Sequence, residues 1–216
     1  MSPEFKLILA SGSPRRKELL TLLGLPFEVQ PGQTDESEQD GEEPLNYVRR
    51  MAVEKGKAYS QTENRWVLSA DTIVEQDSRV IGKPKDFAEA EEILKALRAK
   101  DHQVFTALNV SHNGQSRSSY CQTTVSMRAY SDEEIESYIH TNSPMDKAGG
   151  YAIQDATFHP VSSLEGCWAN VMGLPLCHLY KLMQQSELEP IPGIADRCQN
   201  YLGIVCPVFA EILNEA

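Results

Sequence analysis

Three short stretches of this chain carry side chains suited to reactions on phosphate. In the first, Leu7-Ile-Leu-Ala-Ser-Gly-Ser-Pro-Arg-Arg16, an apolar run breaks into small residues and restarts on two arginines. Backbone N–H groups at a helix start have no partner inside the helix and carry the positive end of its dipole, so such a turn suits an anion. Arg15 and Arg16 in a first helical turn are unfavourable to the helix itself and make sense beside a phosphate. The same turn is equally compatible with a capped surface helix bearing two solvated arginines. In the second stretch, Trp66 to Val74, Asp71 interrupts an apolar run. A lone buried carboxylate is costly unless it is paired or bound to a cation, and Thr72, Ile73 and Val74 leave no turn for it to cap. The third is Gly82-Lys83-Pro84-Lys85, where Pro84 fixes the backbone directly after Lys83, itself compatible with an ordinary exposed lysine. An acidic segment with Asp35, Glu36, Glu38, Asp40, Glu42 and Glu43 reads mostly as a solvated loop, with one carboxylate at its start able to reach a metal. Cations for phosphate oxygens, a carboxylate to orient or deprotonate water, and a further acidic ligand are the parts that phosphoryl chemistry needs.

These groups need elements to position them. Leu7 to Ala10 predict a buried strand, Ser13 an N-cap and Pro14 the first helical position, with Leu19, Leu20, Leu22 and Leu23 as the apolar face. A strand follows at Pro26 to Val29, and a helix runs from Pro44 through Met51 to Lys55. The Asp71 strand comes next, then a helix over Ala88 to Leu97. A strand from His102 to Val110 continues to an Asn113-Gly114 hairpin and a partner around Ser119 to Met127. Ser131 and Glu134 form a capping box that opens a helix through Ile139. Asp146 to Gln154 combines a charged pair, two glycines and a short strand ending in an amide. Asn170 to Pro175 leads to a last core helix through Leu176, Leu179, Leu182 and Met183. Residues 1–185 thus read as one α/β domain and 186–216 as a C-terminal extension, with a linker at Pro190, Pro192 and Gly193 and short docked helices within Ile194 to Ala216.

Composition excludes several classes. A formal charge of −11 argues against a general binder of nucleic acid or acidic membranes. No apolar run is long enough for a bilayer and the N-terminus lacks signal-peptide features, so a cytoplasmic protein is expected. Five cysteines without CxxC spacing and five scattered histidines predict reduced thiols and no zinc site. There is no GxxxxGK[ST] loop for a P-loop enzyme and no GxGxxG for a dinucleotide fold.

The runs LILASGSPRRKELL, VLSADTIV, GKPKD, DKAGGYAIQ and VMGLPL, in this order and spacing, closely resemble the Maf family of nucleoside triphosphate pyrophosphatases over about residues 6 to 184. The resemblance implies an α/β fold with a mixed twisted sheet in two lobes around a deep cleft, related to inosine triphosphate pyrophosphatases and usually homodimeric. It implies hydrolysis of a nucleoside triphosphate to the monophosphate and diphosphate with Mg²⁺ or Mn²⁺, often in clearing non-standard nucleotides. The DKAGGYAIQ block is similar to that of the branch acting on dTTP and UTP. The alternatives are a pyrophosphatase for modified purine nucleotides such as 7-methyl-GTP and a non-catalytic nucleotide-binding regulator of cell division.

Carried over by position, the resemblance implies substrate binding by Ser11, Gly12, Ser13, Arg15, Lys147 and Gln154. Asp71 is implied as general base, with Lys55, Lys83 and Arg16 as catalytic cations and Glu36 with Asp71 as metal ligands. Gly56 stands where the family often has alanine, and Asp155 follows Gln154 where glycine is common.

Overall fold

The computed structural model describes residues 7–59 and 64–214. Lys6, which opens the first run, and Ala216, which ends the tail, lie outside the described residues. The three side chains of β1 (Leu7–Leu9) are fully buried. Ser13 caps α1 (Pro14–Thr21) by accepting the Arg16 N–H at 3.4 Å, and Pro14 occupies the first turn, where its missing donor is not needed. The order continues β2 (Phe27–Val29), α2 (Pro44–Lys57), β3 (Trp66–Gln76), β4 (Arg79–Ile81), α3 (Phe87–Leu97), β5 (Asp101–His112), β6 (Gln115–Met127) and α4 (Asp132–Ile139). It ends with β7 (Val161–Glu165), α5 (Trp168–Val171), α6 (Leu176–Gln185), α7 (Ile194–Leu202) and α8 (Phe209–Asn214).

Among the described residues the strands form one mixed seven-stranded sheet in the order β2-β1-β3-β5-β6-β7, with β4 also on β3. β1 runs parallel to β2 and β3, and every other pair is antiparallel. The architecture is therefore the expected mixed α/β fold. β5 and β6 turn through Asn113 and Gly114, both at positive φ, in the two-residue hairpin that this dipeptide favours. Both bonds of the Ser131/Glu134 capping box are present. Alternation along β3 divides its side chains between two cores. Ile73 packs with Tyr47, Val48, Met51 and Ala52 of α2. Ala70 and Val74 join the main core with Leu19 of α1, Leu94 of α3 and Leu179 of α6.

The site is located by where strands stop. β1 pairs with β3 only as far as Leu9↔Leu68, and β4 begins at Val74↔Ile81. Among the described residues, 69–73 of β3 therefore have no strand beside them on that edge. The opening lies just past the C-terminal end of β1, where open α/β sheets present their ligand crevices.

One expectation needs correction. The predicted strand ending at Gln154 is absent: Gly149 and Gly150 sit at φ +70° and +67°, so the chain winds through two short 3₁₀ turns and reaches Gln154 in a further turn. In its place β7 pairs with β6. The β3–β4 hairpin turns on Asp77 and Ser78, both at positive φ without a glycine to signal it.

The tail packs on the same core. Leu188 and Ile194 are each 1% exposed and belong to the main core. Ile191 donates its N–H to the Leu23 carbonyl at 3.1 Å and covers Gly24, where a Cβ would stand 2.1 Å from Ile191 Cδ1. None of the five cysteines is in a disulfide, and no helix among the described residues is long and apolar enough to cross a membrane.

Candidate active site

The open edge of β3 faces a cleft of about 430 Å³. Every residue that the resemblance implies for the site lines it: Ser11, Gly12, Ser13, Arg15 and Arg16 after β1, Glu36 in the acidic loop, Lys55, Asp71, Lys83, Lys147 and Gln154. Residues separated by more than a hundred positions thus share one wall.

Asp71, central in the open stretch, is 7% exposed. Its charge is met at once: Lys55 Nζ lies 2.5 Å from Asp71 Oδ1 and 2.8 Å from Glu36 Oε1. Lys55 comes from the last turn of α2, where a cation also suits the helix dipole. Burial alone pushes the Glu36 carboxyl up, but the hydrogen bond and charge of Lys55, with Lys83 and Arg16, hold it below its usual value. The acidic loop is tethered. The Tyr47 hydroxyl donates to the Glu36 carbonyl at 2.8 Å, and Arg50 donates to the Ser37 carbonyl and grips Glu42 through two nitrogens. Burial, then Asp71 and Glu36, push the Tyr47 phenol up to about 12, so it stays a donor.

Thr72 points to the opposite face from Asp71 and receives Arg16. The guanidinium donates to Thr72 Oγ1 at 3.0 Å, to Ser11 Oγ at 3.1 Å and to the Gly173 carbonyl at 2.9 Å. Burial lowers the Arg16 pKa and Asp71 opposes that shift, with the guanidinium charged throughout. A second cluster lies toward the mouth of the cleft, where Asp146 pairs with Arg15 at 3.3 Å and with Lys147 at 2.5 Å. Lys147 also donates to the Ser143 carbonyl. Lys83 is exposed and makes no hydrogen bond or ion pair among the described residues, while its charge still acts on Glu36. Gln154 is exposed in its turn. Asp155 does not line the cleft, and its Oδ1 accepts the N–H groups of Thr157 and Phe158 at 3.0 and 2.8 Å.

Three participants were missed from the sequence. Thr72 directly follows Asp71, and Gly173 lies in the VMGLPL run, so both had a positional signal. Tyr151 lines the cleft with its hydroxyl 2.7 Å from Nε2 of buried His102, which burial pushes down to about 4 and keeps neutral.

The donor set fits a divalent cation. Glu36 and Asp71 converge on one point as hard oxygen ligands, and Mg²⁺ is commonly held by one or two carboxylates with substrate phosphates completing the shell. Among the described residues no group of three or more His, Cys, Asp or Glu side chains forms a cage.

Comparison with known proteins adds independent findings. The family model described as Maf-like protein matches residues 6–186. A dTTP/UTP pyrophosphatase of Bacillus cytotoxicus is 42% identical over 84% of this chain and 96% of that protein. One from Aliivibrio fischeri is 42% identical over 84% of this chain and 98% of its own, and one from Thermomicrobium roseum 41% identical over 89% and 92%. Among solved structures, a Ham1 protein from Coxiella burnetii aligns at 15% identity and a TM-score of 0.41, covering 58% of this chain and 74% of that one.

Proposed function

This chain belongs to the Maf family, and on that premise we propose that it is a nucleoside triphosphate pyrophosphatase acting on dTTP and UTP. Water is consumed, the α–β phosphoanhydride bond breaks, and the products are the nucleoside monophosphate and diphosphate. The observation that carries this reading is the carboxylate of Asp71 held on the open strand edge by Lys55, in a cleft also lined by Arg15, Arg16, Lys83 and Lys147. The names carried by relatives of about 40% identity support the choice of pyrimidine triphosphates.

In this reading Arg15, Lys83 and Lys147 attract and seat the triphosphate from the mouth of the cleft, together with the small residues Ser11, Gly12 and Ser13. Arg16, fixed through three donors, presents its remaining N–H groups to the phosphate oxygens, where preorganised charge stabilises the transition state. Lys55 engages only Oδ1 of Asp71, so the other carboxylate oxygen is the one that accepts the proton of the attacking water. Gln154 positions the substrate from its turn. A divalent ion, Mg²⁺ or Mn²⁺, would be held by Glu36 and Asp71 and supplies charge neutralisation for the phosphate oxygens. A homodimer, residence in the cytoplasm and a functional boundary near residue 185 complete the proposal.

The test is diphosphate release from a nucleotide panel with Mg²⁺ or Mn²⁺, with Asp71→Asn in parallel. Release from dTTP and UTP that falls by at least about a hundredfold in the variant is expected. Preferential release from 7-methyl-GTP overturns the substrate assignment, and binding without turnover overturns the enzyme.

A further inference from the structure

Thr106 lies outside the cleft. It is a fully buried hydroxyl on β5, 0% exposed, and does not line the site wall. Burying a hydroxyl costs free energy unless it is hydrogen-bonded, and its partners here lead back to the site. Thr106 and Thr72 are register partners across β5 and β3, with their Oγ1 atoms 2.9 Å apart. Thr106 Oγ1 donates to the Asn170 carbonyl at 2.9 Å. That same carbonyl accepts the Gly173 N–H at 2.9 Å, and the Gly173 carbonyl accepts Arg16 Nε at 2.9 Å. Arg16 Nη2 donates to Thr72 at 3.0 Å, which closes the circuit.

The circuit has one possible direction. A carbonyl only accepts, so Thr106 spends its single proton on Asn170. Thr72 must then donate to Thr106, and a lone pair of Thr72 is left facing Arg16. Both routes from the guanidinium end on the same peptide segment, Asn170 to Gly173. That segment is anchored in turn: the Asn170 amide donates to the Val104 carbonyl and to Thr123 Oγ1, each at 2.9 Å. Gly173 permits the close approach. At φ +101°, a Cβ there would stand 3.2 Å from Thr72 Oγ1 and 3.5 Å from Arg16 Nε.

Resting on the function proposed above, we infer that Thr106 is a positioning residue: by fixing the proton direction of Thr72 it sets the aim of the Arg16 guanidinium at the substrate phosphate. Valine at 106 keeps the volume and removes the hydroxyl. Thr72 then loses its acceptor, and its proton is free to turn toward Arg16, where two donors would face each other.

The test combines kinetics with a signal from Arg16 itself. For Thr106→Val, kcat on dTTP is expected to fall about tenfold or more with KM within about twofold, while Thr106→Ser stays within about twofold of the parent in both. In an Arg16→Lys background, Thr106→Val is expected to add less than about twofold, because the fork it aims is already gone. The side-chain Nε–H of Arg16, identified in ¹H–¹⁵N spectra by its loss in Arg16→Lys, is expected to exchange slowly with water in the parent and in Thr106→Ser and rapidly in Thr106→Val. Rapid exchange in the parent overturns the inference without any appeal to a variant's folding. So does an unchanged kcat in Thr106→Val, or a loss that multiplies in full on Arg16→Lys. A parent protein that hydrolyses no nucleoside triphosphate overturns both the proposed function and the catalytic consequence of the ring, whereas Thr106-dependent protection of Nε–H would still establish the ring itself.

Discussion

Lys55 and Asp71, 16 positions apart in sequence, meet at 2.5 Å across the contact between α2 and β3. The same ammonium reaches Glu36 at 2.8 Å, so one lysine bridges the two carboxylates proposed as metal ligands. It keeps two like-charged groups together that would otherwise repel.

A competition follows from that arrangement. Lys55→Met removes the cation that holds the two proposed metal ligands, and Mn²⁺ affinity of the protein without nucleotide is expected to rise by about five- to tenfold, while turnover falls by about a hundredfold because the Asp71 carboxylate loses the cation that pairs it. Calorimetric titration with Mn²⁺ reads the first effect and diphosphate release the second. Weaker Mn²⁺ binding in the variant would mean that Lys55 organises the ligands without competing for them.

Gly56 has a packing reason to lack a side chain. A Cβ there would stand 2.7 Å from Ser69 Oγ, a fully buried atom that donates to the Ala52 carbonyl at 2.6 Å. Alanine would otherwise be the better helix former, yet Gly56→Ala is expected to destabilise the fold by about 1–2 kcal/mol because the neighbour must move. Gly56→Ala with Ser69→Ala should be more stable than Gly56→Ala alone, as measured by urea unfolding. Simple additivity of the two changes would show that the methyl group fits beside Ser69 after all.

The buried His102 makes stability depend on pH. Its folded-state pKa is held down at about 4, against 6.5 when unperturbed, by burial. Between those values the unfolded chain binds a proton that the folded chain refuses, so stability is full above 6.5 and is lost as pH falls toward about 4. The loss is about 3 kcal/mol across that window. His102→Gln, which retains a polar partner for Tyr151, should remove that part of the slope in denaturation curves taken from pH 7 to 4. Identical slopes in parent and variant would show that His102 does not titrate in this way.

The sequence by itself determined the local grammar of the protein. Ser13 before Pro14, the Ser131/Glu134 box and Asn113-Gly114 each act through bonds spanning a few residues, so helix starts and the long hairpin could be read from neighbours alone. Asp71 was legible for a similar reason, because a carboxylate within an apolar run must find a cation somewhere. The Gly149-Gly150 stretch marks the limit of that grammar, since glycines that allow an extended chain equally allow the left-handed backbone found there.

Tertiary structure decided what no local signal contains. Six acidic side chains crowd residues 35–43, and it is the Tyr47 and Arg50 tethers that accompany Glu36 into the cleft. β1 stops at Leu9 and β4 starts opposite Val74, which leaves Asp71 and Thr72 on an open edge with their side chains on opposite faces. The ring through Thr72, Thr106, Asn170 and Gly173 depends on the register of β3 against β5 and on a segment about a hundred positions further along the chain. Register and chain return are set by the packing of whole elements, and a hydroxyl in a strand looks the same in sequence whether or not its partner is aligned.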